Sequence, residues 1–364
     1  MKRSGTTDLP LHGGSCPPWL FDKMERLVGE ISELIIYEYS PEEFIKRLAD
    51  PVFFQSLGCL VGFDWHSSGL STTLTGALKE ALDPELHGVE VAGGKGSSSR
   101  KTPQEIRKSD LLSSSEKTFF VDASKLSAKV DNNCVQDSFN LYHHCFIFSE
   151  NGDWIVIQQG MNSETARRYH WIGEEVEEFV EEPHFGICCD VRKDTLDLTS
   201  KNSAETRQIS LDLVNDDSSH LKKYLLPEKT QSTLSNFNDA LELPKRHSIR
   251  KMDFSKQVLD NLDKAYERQP KDFEELVSVD GVGPKSIRAL ALVSDLVFGA
   301  DLATDDPATY SFAHGGKDGV PYPVDEEKYE ESISFLGKAI SEAKIGEEDK
   351  KRALKRLKSY LNQE

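Results

Sequence analysis

Apolar residues near the amino terminus recur every three or four positions, which is the spacing of an amphipathic helix. In residues 17–36, for example, Met24 and Ile31 fall on one face of such a helix. A second helical pattern begins at Ser40, and Glu43 stands three residues later, as in a capping box. The amino-terminal part of the chain is therefore predicted to be helical.

Two alternating apolar runs surround a Glu-Asn-Gly-Asp turn in residues 142–162, and this pattern predicts a β-hairpin. The first run stays apolar after its histidines, which indicates a strand that is buried on both faces. That strand begins with His143 and His144, and the second strand carries Gln158 and Gln159. Because adjacent strand residues point to opposite faces, one member of each pair lies on each face. These pairs are either buried hydrogen-bonding groups or part of a functional site.

The remaining pattern divides the 364 residues into about two domains. An acidic helix and an apolar strand follow the hairpin, and helical periodicity without strands begins at about residue 244. We therefore predict an α+β protein with a mixed α/β catalytic domain over residues 1–200. A helix and connector over residues 201–243 join it to an all-α domain over residues 244–364.

Neither a membrane segment nor a disulfide framework is indicated by the composition. No apolar run approaches the roughly twenty residues of a membrane helix, and the amino terminus lacks the hydrophobic segment of a secretory signal. Six cysteines are scattered through apolar contexts without a CxxC motif, which is typical of reduced thiols. We therefore predict a cytoplasmic protein that does not associate with membranes.

The formal net charge of −18 weighs against nucleic-acid binding, because phosphate contacts need cations. The position of the charges matters more than their sum, since a DNA-binding face is a local property. One basic cluster, residues 93–101, is rich in Gly, Ser and Lys and predicts a surface loop. Its cations Lys95, Arg100 and Lys101 are candidates for contacts to a phosphate backbone. A plain disordered insertion is the alternative.

Residues 273–299 resemble the helix-hairpin-helix motif, with an apolar helix, a Gly-Val-Gly bend and a second helix opened by proline. Gly281 and Gly283 permit a tight bend and a close approach of backbone to phosphate. Free N–H groups at the start of the second helix then face the anion. The resemblance implies sequence-independent binding of DNA backbone by Gly281, Val282, Gly283, Lys285 and Ser286. A hairpin that only packs its two helices is the alternative.

A related resemblance concerns the DNA glycosylases that are built on the same motif. In them the lysine of Gly-Val-Gly-x-Lys is an amine nucleophile, and a downstream Pro-Val-Asp supplies a carboxylate. Lys285 and Asp325 match these positions and form an alternative lyase pair. Their separation is about twice that usual for the family, and an Asp325 that caps the following helix is the structural alternative.

Unexplained polar side chains are concentrated in the first two hundred residues. Carboxylate and imidazole groups hold a divalent ion such as Mg²⁺ or Mn²⁺ or transfer protons, and arginine neutralises the charge of a phosphorane. If they converge, they form the site of a phosphodiesterase; otherwise they are buried groups that satisfy one another. No metal motif of known spacing supports either reading. The candidates are Asp64, His66, His143, His144, Gln159, Arg168, His170, Glu182 and His184.

Longer motifs, among them "RSGTTDLPLHGG", "VIQQGMN" and "YSFAHGGKDGVPYPVD", resemble a prokaryotic, largely archaeal family of unknown function with a carboxy-terminal helix-hairpin-helix segment. The resemblance implies no particular activity. Our leading hypothesis is a nuclease-type hydrolase of DNA repair, with DNA and repair-complex proteins as partners. A glycosylase or lyase and a non-enzymatic DNA-binding scaffold are the alternatives.

Overall fold

The computed structural model describes residues 9–10, 16–62, 68–162, 165–189, 192, 194–216, 256–309, 326–343 and 346–361. These residues form a six-stranded antiparallel sheet with helices on both faces, and a smaller two-stranded sheet. The mixture of helices with an antiparallel sheet confirms the predicted α+β class.

The strands are β1 Leu9–Pro10, β2 Val89–Lys95, β3 Val135–Gln136, β4 Asn140–Ser149, β5 Trp154–Met161, β6 Thr165–Ile172, β7 Gly186–Cys188 and β8 Leu196–Asp197. The central sheet has the order β1-β6-β5-β4-β2, and β7 also pairs with β6. Strands β3 and β8 form the small sheet. The predicted hairpin is confirmed as β4 and β5, in which His144 pairs with Gln158 and His143 with Gln159.

The helices are α1 Pro18–Glu38, α2 Pro41–Ala49, α3 Pro51–Val61, α4 Gly69–Ala81, α5 Pro84–His87, α6 Thr102–Lys108, α7 Ser114–Asn133, α8 Ala204–Asn215, α9 Lys256–Arg268, α10 Phe273–Ser278, α11 Pro284–Phe298, α12 Glu326–Glu342 and α13 Glu347–Leu361. Ser40 caps α2 as predicted, because its hydroxyl accepts the Glu43 N–H at 3.2 Å.

Helices α1 to α4 cover one face of the central sheet, which we call the α4 face. Phe44 and Phe54 of these helices pack in one apolar cluster with Ile147 of β4 and Ile155 of β5. Helices α12 and α13 extend this layer, since Leu336 and other apolar residues of both helices belong to the same cluster. The alternation along β4 thus directs Cys145 and Ile147 to this face.

Helices α6 to α11 lie on the opposite face, which we call the α7 face. Phe120 of α7 packs against Phe146 and Phe148 of β4, and the ring of Phe146 stacks on Trp154 with centroids 5.3 Å apart. The same apolar cluster includes Leu276 of α10 and the buried positions of α11. The strands are therefore buried on both sides, as the apolar run in β4 predicted.

The helices after residue 244 share their cores with the sheet. Apolar residues of α9 to α11 belong to the cluster on the α7 face. Apolar residues of α12 and α13 belong to the cluster on the α4 face. The predicted boundary at residue 243 lies outside the described residues. Within the described ranges, none of the helices is long and apolar enough to span a bilayer.

Candidate functional site

A cavity of about 700 Å³ lies on the α7 face, and we call it the α7 cavity. One wall is the start of α6 with the 3₁₀ turn Ser99–Lys101 before it, and the opposite wall is α10 with the residues that follow it. Helix α7 and the start of β4 complete the lining. The cavity therefore lies between the predicted basic loop and the predicted DNA-binding hairpin. Its lining residues are Ser99, Arg100, Pro103, Asp122, Ser124, Lys125, Leu126, Ala128, Lys129, Leu141, Tyr142, His143, His144, Glu274, Ser278 and Asp280.

A chain of buried hydrogen bonds begins at the wall of this cavity. The Ser124 hydroxyl is 2.8 Å from His144 Nε2, and His144 Nδ1 is 2.9 Å from Gln158 Oε1. Because an amide oxygen only accepts, Nδ1 carries the proton and Nε2 accepts the Ser124 O–H. Burial lowers the pKa of His144 to about 4, so the imidazole is neutral at pH 7.

The chain continues to a buried carboxylate. Gln158 Nε2 donates to Asp131 Oδ2 at 2.6 Å, and Trp171 Nε1 donates to the same oxygen at 3.2 Å. His184 Nε2 lies 2.5 Å from the other oxygen, Asp131 Oδ1. Burial raises the pKa of Asp131, and the neighbouring His184 opposes that rise. These six groups join Ser124 and Asp131 of α7 to the sheet and to His184.

A second polar network occupies the α4 face. Gln159 Oε1 accepts from the Ser71 hydroxyl at 2.5 Å, and Arg168 donates to Ser71 Oγ at 3.2 Å and to Gln55 Oε1 at 3.0 Å. Arg168 Nε also donates to His170 Nε2 at 2.8 Å. All these side chains are buried. They join β5 and β6 to α3 and α4.

The remaining histidines of this face are also buried in the protein. His170 Nδ1 donates to the Ala49 carbonyl at 2.9 Å, and burial lowers its pKa. His143 Nε2 is hydrogen-bonded to Thr75 Oγ1 at 3.2 Å, and burial lowers its pKa to about 3. Although His143 belongs to the strand that lines the α7 cavity, its imidazole is bonded on the α4 face. Both rings are neutral at pH 7.

The sheet divides the predicted catalytic cluster instead of bringing it into one cleft. His143, Gln159, Arg168 and His170 bond on the α4 face, whereas His144 and His184 bond on the α7 face, because neighbouring strand residues point in opposite directions. Glu182 is exposed and pairs with Lys201 at 3.1 Å, apart from both networks. Asp64 and His66 lie outside the described residues.

Metal ligands do not cluster in the part of the chain that the structure describes. Across those ranges, no group of three or more His, Cys, Asp or Glu side chains could hold an ion. Mg²⁺ or Mn²⁺ binding thus stays a prediction.

The predicted glycine bend connects α10 to α11 at the protein surface. Gly281 is exposed with φ +93°, and a Cβ there would lie 2.6 Å from Asn261 Oδ1, so only glycine fits. Lys285, in the first turn of α11, is exposed. Val282 and Ser286 are buried, so their side chains pack inward. Asp325, the predicted partner of Lys285, lies outside the described residues.

Helix α7 and strand β3 hold the bend in place. Lys129 Nζ donates to the carbonyls of Ser278 and Val279 at 2.6 and 3.2 Å, at the end of α10. Gln136 Nε2 donates to the Pro284 carbonyl at 2.9 Å, and Gln136 Oε1 accepts from Arg288 Nε at 2.6 Å. The bend is therefore fixed relative to the α7 cavity.

The predicted basic loop is an ordered part of the sheet edge. Lys95, Arg100 and Lys101 are exposed, and Lys95 Nζ lies 5.9 Å from the centre of the Tyr142 ring. Behind them, Glu105 Oε2 accepts the Gly93 N–H at 2.7 Å. Gly93 has φ +95°, and a Cβ there would lie 2.3 Å from the His144 carbonyl, so the residue must be glycine. These contacts do not fit a disordered insertion.

Ser124 and Asp131 were missed by sequence reasoning, because residues 114–133 gave no clear helical prediction. In the structure they lie on the buried side of α7. The signal that could have found them is their spacing of seven residues, which places both on one helix face. Buried polar residues on such a face need partners, and the polar pairs of the hairpin supply them.

Comparison with known proteins gives no activity for this site. No curated protein matches the sequence, and no solved structure matches it. The family model described as "Protein of unknown function (DUF763)" matches residues 5–324. This match confirms the predicted membership of an uncharacterised family, whereas the archaeal distribution and the helix-hairpin-helix relationship stay predictions. The chain belongs to the DUF763 family.

Proposed function

We propose that this protein binds DNA backbone without sequence preference and hydrolyses a phosphodiester bond during DNA processing or repair. The observation that carries the proposal is the bend from Gly281 to Lys285, whose two end residues are exposed and which follows directly on Asp280 of the α7 cavity. Arg100 lines the same cavity on the opposite wall. A DNA strand that crosses the cavity mouth would meet phosphate-binding groups on both sides.

The physical basis for binding at the bend is the start of α11. The aligned peptide dipoles of a helix of 15 residues give a partial positive charge at its first turn. Pro284 at the helix start gives up an N–H that would be unpaired anyway. Gly281 allows the backbone to approach a phosphate, and Lys285 adds a formal charge. None of these groups reads a base, so the binding would be independent of sequence.

The overall charge of −18 predicts that binding is weak and local. Lys95, Arg100, Lys101 and Lys285 would contribute at most about four phosphate contacts. The acidic background opposes long-range attraction, so we expect measurable affinity mainly at low ionic strength.

Hydrolysis is favoured over the lyase alternative by the position of Lys285. A lysine nucleophile is activated by burial or by a neighbouring positive charge. Lys285 is exposed, so this activation by burial is absent. Phosphodiester hydrolysis needs no amine nucleophile, because water activated by a divalent ion can attack the phosphorus atom. Asp64 and His66 stay the candidate ligands of that ion from the sequence.

Fluorescence anisotropy with labelled single-stranded, duplex and junction DNA at low ionic strength tests the binding. We expect Lys285→Ala to weaken binding roughly fivefold or more, because one charge-assisted phosphate contact is lost. Lys271→Ala is the matched control, since Lys271 is highly exposed, precedes α10 and pairs with Glu275. Failure of the wild-type protein to bind any of these DNAs would contradict the proposal.

Cleavage is tested separately with the same labelled DNAs. We expect strand scission with Mg²⁺ or Mn²⁺, loss of scission with a chelator, and loss in the Asp64→Asn variant with binding retained. Salt-sensitive binding without scission of any substrate would instead indicate a scaffold protein.

A further inference from the structure

We propose that the α7 cavity accepts the base of one unpaired DNA nucleotide while its phosphate stays at the glycine bend. This inference rests on the proposed DNA binding and names the part of the substrate that is recognised. The bend follows α10 directly, and Ser278 and Asp280, on either side of the junction, both line the cavity. A phosphate held at Gly281 would therefore place its nucleotide at the cavity mouth.

The size and walls of the cavity suit a nucleobase. Its volume of about 700 Å³ lies within the roughly 300–1,000 Å³ usual for small-molecule sites. Pro103, Leu126, Ala128 and Leu141 supply apolar surface from three different elements. Tyr142 also lines the cavity, although its hydroxyl accepts a hydrogen bond from Gln159 on the α4 face. Proteins that extract a base hold it between apolar or aromatic side chains, and here the apolar residues supply that surface.

The charges around the cavity favour a neutral group over a free phosphate. Arg100, Lys125 and Lys129 give three positive charges, and Asp122, Glu274 and Asp280 give three negative charges, so their sum is zero. His144 adds no charge because its pKa is about 4. A free anion would meet as much repulsion as attraction here, whereas an uncharged base would not.

The polar groups of the lining also match the edges of a base. Carboxylates accept hydrogen bonds from the exocyclic amino groups of cytosine, adenine and guanine. Lys129 is committed to the end of α10, so Arg100 and Lys125 are the exposed cations of the lining. Beneath them, the bond from Ser124 to His144 fixes the wall in one arrangement. A preformed site of this kind binds without the entropic cost of ordering its own side chains.

The test compares the affinity for a duplex with one central mismatch and the affinity for the fully paired duplex. Extrusion is easier for a mismatched base, so wild type should bind the mismatched duplex roughly tenfold more tightly. Ala128→Leu combined with Ser278→Leu narrows the cavity from two walls without adding an aromatic ring. That variant should bind both duplexes alike. The matched control is Ala204→Leu with Ser115→Leu, two exposed helical positions outside the lining, which should keep the preference.

The outcomes separate this inference from the proposed function. DNA binding by wild type without a mismatch preference would overturn the inference and leave the proposed function intact. A preference that persists in the narrowed variant would also overturn it, because the base would then be bound elsewhere. Absence of DNA binding would contradict both. Thermal melting establishes that the variants are folded, and Ala128→Leu alone replaces the double variant if that one does not fold.

Discussion

The two faces of the central sheet carry the same kinds of polar side chain in adjacent rows, but the network on one face is sealed by helices and the network on the other face reaches the α7 cavity. On the α4 face, Gln159 and Arg168 are sealed by α3 and α4. On the α7 face, His144 and Gln158 connect to Ser124, which lines the α7 cavity. Two adjacent polar residues on a strand can therefore have different roles, because they point to opposite faces of the sheet. What packs against each face decides whether the group is structural or accessible to a ligand.

The largest effect is expected on the sealed face, where Arg168 should be purely structural. Replacement by Met keeps the apolar stem but removes the hydrogen bonds that Arg168 donates to Gln55, Ser71 and His170. We expect the free energy of unfolding to fall by about 3–5 kcal/mol, measured by chemical denaturation. The exposed Arg107 of α6 is the matched control, and Arg107→Met should change the free energy of unfolding by less than about 0.5 kcal/mol. A small effect of Arg168→Met would contradict the sealed-face interpretation.

Acidification should lower the free energy of unfolding, because the buried histidines of both faces are neutral in the folded protein. The pKa of His144 is about 4 in the folded protein and near 6.5 in the unfolded chain. Below a pH of about 6.5 the unfolded state therefore binds more protons than the folded state. The free energy of unfolding that the neutral His144 contributes is lost progressively until the pH reaches about 4. His144 alone should account for about 3 kcal/mol.

Denaturation midpoints between pH 7 and pH 4 measure this effect. The His144→Gln variant should show a flatter pH dependence of the free energy of unfolding than wild type. The groups nearest His144 are Ser124, Gln158 and, through Gln158, Asp131. Equal pH dependence in wild type and His144→Gln would contradict the assignment of a buried, neutral imidazole.

Smaller effects on stability are expected when one buried serine on each face is replaced by alanine. Ser71→Ala and Ser124→Ala each remove one buried hydroxyl and should each lower the free energy of unfolding by about 1–2 kcal/mol. Only Ser124→Ala should also reduce DNA affinity, roughly two- to threefold, because it alters the wall of the α7 cavity. Anisotropy titrations of the two folded variants measure the contrast. Reduced affinity in Ser71→Ala alone would reverse the assignment of the two faces.

Local sequence patterns predicted the elements that depend on local rules. The β4–β5 hairpin follows from alternation around a turn, and the start of α2 follows from a Ser40 cap. The bend at Gly281 follows from its glycines, since its φ of +93° disfavours other residues. The α+β class follows from the sum of these elements.

The parts that sequence reasoning missed depend on contacts between distant segments. The sequence did not predict α7, because polar residues such as Ser124 and Asp131 interrupt its apolar face. In the structure these two residues form hydrogen bonds with His144 and Gln158 of the sheet. The sequence also did not predict the α7 cavity, because its lining comes from four separate segments, residues 99–103, 122–129, 141–144 and 274–280. Periodicity along one segment cannot indicate which face of another segment it meets.

The salt dependence of DNA binding tests the central claim most directly. If Lys95, Arg100, Lys101 and Lys285 each neutralise one phosphate, the logarithm of the binding constant should fall against the logarithm of salt concentration with a slope of about −3 to −4. Lys285→Ala should reduce the magnitude of that slope by about 1, while Lys271→Ala should leave it unchanged. An unchanged slope in Lys285→Ala, or no binding by wild type at low ionic strength, would contradict a phosphate contact at the glycine bend.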